Sequence, residues 1–195
     1  MGYDPASSQV VAVVTETMAD RTGTAAVTIR AYRPTDHRDC RQLWAELTEQ
    51  YESLYPGSAP VADVDPGAAF EEYLTRLDLS GMWVAEDTGP SGGVVGMVGL
   101  ILDGRGGEVE PLVVASARRG AGIGRALLAH VADQARRRGL GRLSISPAAR
   151  NRDAIHCLHA AGYDALARVT LAIDLNRKSD TWRDGIDLYD LRFRY

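Results

Sequence analysis

The sequence feature that most constrains the fold is residues 110–128, where an apolar strand leads into a turn rich in Arg and Gly and then into an amphipathic helix. The glycines of the turn 120–124 lack a Cβ, so the backbone can bend sharply there and approach a ligand closely. Free N–H groups at the start of the helix, together with its dipole, favour an anion. Arg118 and Arg119 add positive charge. The segment therefore predicts an anion pocket, and a pyrophosphate is the anion that fits it best.

The glycine pattern distinguishes between three kinds of phosphate loop. A P-loop requires G-x-x-x-x-G-K-[ST], and this turn has neither the Lys nor the hydroxyl residue. A dinucleotide fingerprint, G-x-G-x-x-G, would need its last glycine where Arg125 or Leu127 stands. The remaining pattern is R-x-x-G-x-G, formed by Arg119, Gly122 and Gly124. With a strand before it and a helix after it, this segment resembles the coenzyme loop of the GNAT superfamily of acetyl-CoA-dependent N-acetyltransferases. An ordinary glycine-rich strand-to-helix turn is the alternative.

The length and composition suit one domain that can fold without disulfide bonds or a structural metal ion. The chain has 195 residues, and 22 basic against 26 acidic side chains give a formal charge of -4, which argues against nucleic acid as a partner. Cys40 and Cys157 cannot build a disulfide framework or a zinc site. No apolar run approaches a membrane span, and the N-terminus lacks the basic region of a signal peptide. We therefore expect a soluble cytoplasmic protein without a membrane partner.

Hydrophobic periodicity divides the chain into an N-terminal extension and one domain. Residues 1–26 have no clear period and are expected to be a mobile extension, and the domain covers residues 27–195. The predicted elements of the domain are, in chain order, strand 27–32, a helix from about residue 36, helix 66–79, strands 82–86, 94–102 and 108–114, the helix after the glycine turn, strand 143–146, helix 151–161, and strands 166–175 and 186–195.

This order of elements is the order of the GNAT fold, so the resemblance extends over residues 27–195. It implies an α/β protein of the α+β type. A mixed, mostly antiparallel seven-stranded sheet would be flanked by four helices. The sheet would be splayed between its fourth and fifth strands, and the coenzyme would enter that gap.

The resemblance also implies how acetyl-CoA is held. Backbone groups of the fourth strand would bond the pantetheine arm as an added strand does, and the loop would hold the pyrophosphate. Asn151 matches an Asn that commonly contacts the arm, although it could equally cap its helix. No metal is expected. The expected coenzyme residues are Leu112, Val113, Val114, Arg119, Gly120, Ala121, Gly122, Ile123, Gly124 and Asn151.

Transfer to an amine requires a group that takes a proton and a group that returns one. A carboxylate can deprotonate an alkylammonium, directly or through water. Glu110 is the first choice as base or amine anchor and Glu108 the second, although both could be solvated strand residues. The family's usual Tyr acid would fall at Leu158, which has no proton to give. Tyr163 is the replacement we name, with Tyr189 and water as alternatives; His156 and His159 are expected at the surface.

Acidic and aromatic side chains occur in the two loops that would meet the acceptor. Such groups suit a cationic amine, but they are equally ordinary loop residues. The function predicted is acetyl transfer from acetyl-CoA to an amine of a small molecule or a protein, by direct attack in a ternary complex. A non-catalytic coenzyme-A-binding sensor or interaction module is the alternative, and a homodimer through the last strand is open beside a monomer. The expected acceptor residues are Tyr51, Glu52, Tyr55 and Trp182, with Asp63 and Asp65 nearby.

Overall fold

A computed structural model describes residues 27–56, 65–77, 81–89, 92–173 and 182–195. The predicted extension 1–26 and Asp63 lie outside these residues. The elements in chain order are β1 (Val27–Ala31), a 3₁₀ turn (Pro34–Asp36), α1 (His37–Leu54), α2 (Ala68–Arg76), β2 (Met82–Asp87), β3 (Gly93–Asp103), β4 (Gly106–Val114), a second 3₁₀ turn (Ser116–Arg118), α3 (Ile123–Arg137), β5 (Arg142–Ser144), α4 (Arg152–Ala160), β6 (Asp184–Leu188) and β7 (Leu191–Arg194).

The central sheet has five strands in the order β1-β2-β3-β4-β5, antiparallel except for the parallel pair β4–β5. Helices cover both faces because each face carries its own apolar cluster. On one face α1 and α2 bury Leu43, Phe70 and Tyr73 against Met97 of β3. On the other face α3 packs the apolar stripe that the sequence predicts, centred on Leu127. The predicted mixed α/β architecture is confirmed.

The last part of the chain differs from the prediction. None of the described residues 166–173 is in a strand, and their apolar side chains are exposed, for example Leu171 and Ile173. The predicted strand 186–195 is instead a hairpin of β6 and β7, turning at Tyr189 and Asp190, whose φ angles are +53° and +63°. Two residues at positive φ make a tight hairpin turn. This hairpin is a separate two-stranded sheet, so the prediction of one seven-stranded sheet was wrong.

A β-bulge interrupts β4 beside the site. The register passes from Val98↔Leu112 to Leu100↔Val109, so Gly99 of β3 faces both Glu110 and Pro111. Pro111 has no N–H to donate to the ladder, which is why a bulge can accommodate it. The buried Tyr73 hydroxyl donates to the Glu110 carbonyl at 2.5 Å. At the bulge, the Glu110 carbonyl oxygen is therefore paired with a side-chain donor from α2.

Candidate functional site

The predicted gap lies between β4 and β5. Strand β5 pairs only with the first three residues of β4, Gly106–Glu108. No strand of the described chain pairs with that edge of β4 over the remaining residues 109–114. About 20 Å of strand edge is therefore available for another hydrogen-bonding chain.

The register determines which backbone groups face this gap. Val114 lies opposite Gly96, and the next amide, Ala115 N, donates to the Val95 carbonyl at 2.9 Å. Because successive residues of a strand turn their backbone groups to opposite sides, Val113 is bonded to β3 while Leu112 and Val114 point into the gap. Of the three predicted strand residues, Leu112 and Val114 are therefore the two whose backbone groups are directed toward an arm in the gap. The Val113 side chain is buried in the core.

The turn between β4 and α3 has the geometry that its glycines suggested. Gly120 and Gly122 lie at φ of +78° and +80°, the left-handed region, and Gly122 is the N-cap of α3. An added Cβ at either residue would meet nothing within 4 Å, so backbone conformation rather than crowding explains these glycines. The turn is open to solvent beside the first N–H groups of α3. Ala121, Ile123 and Gly124 continue this backbone, and the Ile123 side chain is in the core.

The two arginines of the turn have different surroundings. Arg118 forms an ion pair with Asp87 of β2, and the pKa of Asp87 is lowered by hydrogen bonds from the Gly89 amide and from Arg118. The positive charge of Arg118 is therefore compensated inside the protein, which corrects the expectation that both arginines serve the pocket. Arg119 is exposed, and its Nε donates to the Val114 carbonyl at 3.2 Å. It places its charge where the turn meets the gap.

The two acidic candidates lie where β4 and β5 separate. Glu110 is 43% exposed and lies 3.6 Å from Arg76 of α2, as measured between Oε1 and Nη2. Glu108 accepts a hydrogen bond from the Ser146 hydroxyl at 3.2 Å. Both carboxylates thus lie at the point where β4 and β5 separate, which we call the fork. Glu110 is held by a loose, half-exposed ion pair that a cationic ligand could replace.

The residues of α4 match only part of the expectation. The Asn151 side chain accepts from Ala154 N at 3.1 Å and so caps the helix, which is one of its two predicted roles. Leu158 is a buried core residue, and His156 and His159 are exposed. The Tyr163 hydroxyl is buried without a hydrogen-bond partner among the described residues, and burial raises its pKa. It borders a cavity of about 230 Å³ against α3.

Two of the predicted acceptor residues, Tyr51 and Tyr55, lie next to each other, and Tyr55 contacts an arginine that the sequence did not single out. The rings of Tyr51 and Tyr55 are 5.1 Å apart, and the Arg150 guanidinium lies 4.6 Å from the Tyr55 ring centroid. Arg150 Nε also donates to the Tyr195 carbonyl at 3.2 Å, and Tyr195 pairs with the neighbour of Trp182. The only signal in the sequence was its place before the helix cap.

The remaining acceptor candidates have separate positions. Glu52 lies on α1 beside the tyrosines. Asp65 forms an ion pair with Arg41 and accepts from the Gly67 amide at 2.9 Å, so it joins the start of α2 to α1.

Within the described ranges, no group of three or more His, Cys, Asp or Glu side chains could hold a metal ion. The described helices include none that is long and apolar enough to cross a membrane.

Comparison with known proteins places this geometry in a family. The model of the acetyltransferase (GNAT) family matches residues 42–163, more than half of the chain. The search of curated protein sequences found no match to this chain. An acetyltransferase of the GNAT family from Staphylococcus aureus superposes with a TM-score of 0.56 at 16% identity, covering 86% of this chain and 96% of its own.

Two further solved structures share the fold. A ribosomal-protein-alanine N-acetyltransferase from Brucella melitensis is 26% identical, with a TM-score of 0.52 over 69% of this chain and 82% of its own. The N-acetylglutamate synthase of Neisseria gonorrhoeae, in complex with coenzyme A and N-acetyl-glutamate, is 24% identical, with a TM-score of 0.50 over 67% of this chain and 27% of its own. Since the family model covers the α1-to-α4 region that contains the gap, the glycine turn and both acidic residues, the chain belongs to the acetyltransferase (GNAT) family.

Proposed function

We propose that this protein transfers the acetyl group of acetyl-CoA to an amine of a small molecule or a protein, by direct attack in a ternary complex. The observation that carries the proposal is the free edge of β4. Leu112 and Val114 direct backbone groups into the gap, and the glycine turn with Arg119 adjoins the same edge. A pantetheine arm pairs with such an edge as an added strand would, while N–H groups at the start of α3 receive the pyrophosphate.

Glu110 is the proposed base or amine anchor. An alkylammonium must lose a proton before its nitrogen can attack, and a half-exposed carboxylate at the fork can accept that proton directly or through water. The nitrogen then forms a bond to the acetyl carbon, and the bond from that carbon to sulfur breaks. The ion pair with Arg76 orients Glu110 until the cationic amine arrives.

Tyr163 is the proposed donor of the proton that the departing thiolate takes up. A phenol is protonated at neutral pH, and burial raises the pKa of Tyr163 further. Its hydroxyl has no competing hydrogen-bond partner in the described part of the chain. A thiol is also a tolerable leaving group without an acid, because its pKa is near 8.5.

The structural relatives support an amine acceptor of this general kind. The Brucella melitensis protein is named for N-acetylation of an alanine of a ribosomal protein, and the Neisseria gonorrhoeae structure contains coenzyme A. In this chain Glu52 and the Tyr51 ring give the acceptor side an acidic and an aromatic group that suit a cation, whereas the Tyr55 ring already carries the Arg150 guanidinium. A cytoplasmic location and the absence of a nucleic-acid partner remain predictions from composition.

A coenzyme-A-binding protein without turnover is the second candidate. It is favoured by Leu158, a buried leucine at the position where the family usually has its acid. Such a protein would be stabilised by coenzyme A and would release no free thiol with any amine.

The test compares binding with turnover. Melting temperature is measured with acetyl-CoA and with coenzyme A, and thiol release is followed across a panel of amines, peptides and aminoglycosides. Glu110→Gln is expected to lower kcat by about 100-fold or more while acetyl-CoA still stabilises the protein. Glu108→Gln, at the second-choice base, distinguishes the two carboxylates: it should leave kcat nearly unchanged if Glu110 takes the proton, and a large fall would assign the role to Glu108. Stabilisation without thiol release would support the binding protein, and the absence of both would refute the coenzyme site.

A further inference from the structure

Helix α1 crosses the open end of the gap between β4 and β5. Three hydrogen bonds mark its course. Asp39 accepts from Val94 N at the start of β3, at 3.2 Å, and Glu46 accepts from Ser116 N just past the end of β4, at 2.8 Å. The Leu54 carbonyl accepts from Arg150 Nη1 in the segment after β5, also at 2.8 Å. Roughly 12 Å of helix therefore extends between the β4 side and the β5 side of the gap.

Arg150 holds the β5 end of this crossing. It is only 7% exposed, although an arginine is almost never so buried unless its charge and donors are compensated. Besides the Leu54 carbonyl, it bonds the Tyr195 carbonyl through Nε at 3.2 Å and stacks on the Tyr55 ring at 4.6 Å. Its backbone N–H donates to the Tyr55 hydroxyl at 3.3 Å. One side chain thus joins α1, the segment before α4 and the β6–β7 hairpin.

The chemistry of these contacts requires a guanidinium. The last carbonyls of a helix have no partner within the helix, and the negative end of the helix dipole lies there. A planar group with several fixed donors can bond two carbonyls and stack on a ring at once, whereas an ammonium offers a single point charge. The backbone N–H of residue 150 holds the Tyr55 hydroxyl and the guanidinium holds its ring, so the orientation of the ring depends on the Arg150 side chain.

We propose that Arg150 is a positioning residue, which fixes the last turn of α1 and Tyr55 on the β5 side of the gap. Tyr55 and Tyr51 would form the side of the pocket that the acceptor amine contacts, so Arg150 would determine the shape of that pocket. This inference rests on the proposed acetyl transfer. Glu46 fixes the β4 side of the same helix independently. Loss of Arg150 therefore disturbs the acceptor side and leaves the glycine turn and the edge of β4 intact.

The experiment measures KM for amine and for acetyl-CoA separately in Arg150→Met and Arg150→Lys. Arg105→Met, at the exposed turn between β3 and β4, is the control for loss of one arginine. We expect Arg150→Met to raise the amine KM roughly tenfold to a hundredfold, because small misplacements in a site have effects of this size. The acetyl-CoA KM should stay within about twofold. Arg150→Lys should recover part of the loss, and the control should match the natural protein.

Hydrogen exchange of residues 51–56 without substrate gives a second readout. The Tyr55 amide, which bonds the Tyr51 carbonyl at 3.0 Å, should exchange faster in Arg150→Met, while amides of α3 keep their rates. Unchanged amine KM with unchanged exchange would overturn the inference. Equal increases in both KM values would also overturn it, because they indicate general loosening of the fold. If the natural protein transfers acetyl to no amine, the proposed function fails, and the exchange of 51–56 alone decides whether Arg150 fixes α1.

Discussion

Replacing Gly99 by alanine tests whether the bulge in β4 is built around a missing side chain. A Cβ placed on the buried Gly99 would lie 1.9 Å from the Tyr73 hydroxyl oxygen and 2.3 Å from the Glu110 carbonyl oxygen. Both separations are far below van der Waals contact, and one partner is backbone. The strands must therefore move apart, and the hydrogen bond from Tyr73 to Glu110 must break.

The expected cost has two parts. Overpacking a core position typically destabilises by about 1–3 kcal/mol, and leaving a buried carbonyl without its donor costs about 1–3 kcal/mol more. We therefore expect Gly99→Ala to lose about 2–6 kcal/mol. Tyr73→Phe, which removes only the hydrogen bond, should lose about 1–3 kcal/mol. In a chain of this length each kcal/mol lowers Tm by about 2–4 °C.

Urea unfolding of both single variants and of the double variant measures these effects. The double variant should lose less than the sum of the two, because phenylalanine removes the oxygen with which the new methyl collides. Gly124→Ala is the control, since its Cβ would lie at an ordinary 3.7 Å from Val114, and it should stay within about 1 kcal/mol of the natural protein. Full stability of Gly99→Ala, or strict additivity with Tyr73→Phe, would refute this account of the bulge.

Three further predictions concern the coenzyme, the acid and the pH. Arg119→Met should weaken acetyl-CoA binding about tenfold by isothermal titration, whereas Arg118→Met, already paired with β2, should mainly lower Tm; the reverse pattern would contradict the assignment. Tyr163→Phe should lower kcat at least tenfold without loss of Tm, because the hydroxyl has no partner to lose; an unchanged kcat would exclude it as the acid. The hydrogen bond from Arg30 lowers the pKa of Asp36 below its ordinary 3.8, so Asp36 stabilises the fold above that pH and ceases to do so as the pH falls through the lower value. Asp36→Asn should therefore be less stable than the natural protein at pH 7, and in acid unfolding curves this difference should shrink below about pH 4.

Local pattern was sufficient to predict the glycine turn and the elements on either side of it. The strand, the positive-φ glycines Gly120 and Gly122, and the stripe of α3 all lie within one short segment, so spacing alone predicts them. The long-range contacts could not be predicted in the same way. Arg118 is paired with Asp87, 31 residues away, and Arg150 bonds the Leu54 carbonyl, 96 residues away. No sequence period reports such pairings.

The prediction for the last strands was wrong for a related reason. Alternating apolar residues indicate a strand only if a neighbouring edge is present to pair with them, and residues 166–173 have none in the described structure. The turn within residues 186–195 could not be recognised from the sequence, because Tyr189 and Asp190 adopt positive φ where a glycine would be expected. Tyr is an uncommon residue there, so the usual turn signal was missing.

In the proposed reaction, the bulge would allow one strand to serve both substrates. In a regular strand Glu110 would share a face with Leu112 and Val114, because side chains alternate with a period of two. One extra residue reverses this parity. Leu112 and Val114 therefore pack toward α3, while Glu110 projects to the side of α2, where Arg76 meets it. A carboxylate that shared the face of α3 would face the coenzyme turn, and its charge would oppose the pyrophosphate. On the opposite face, the proposed reaction would bring an amine to the same carboxylate, so the bulge at Gly99 would separate binding of the anionic coenzyme from deprotonation of the cationic acceptor.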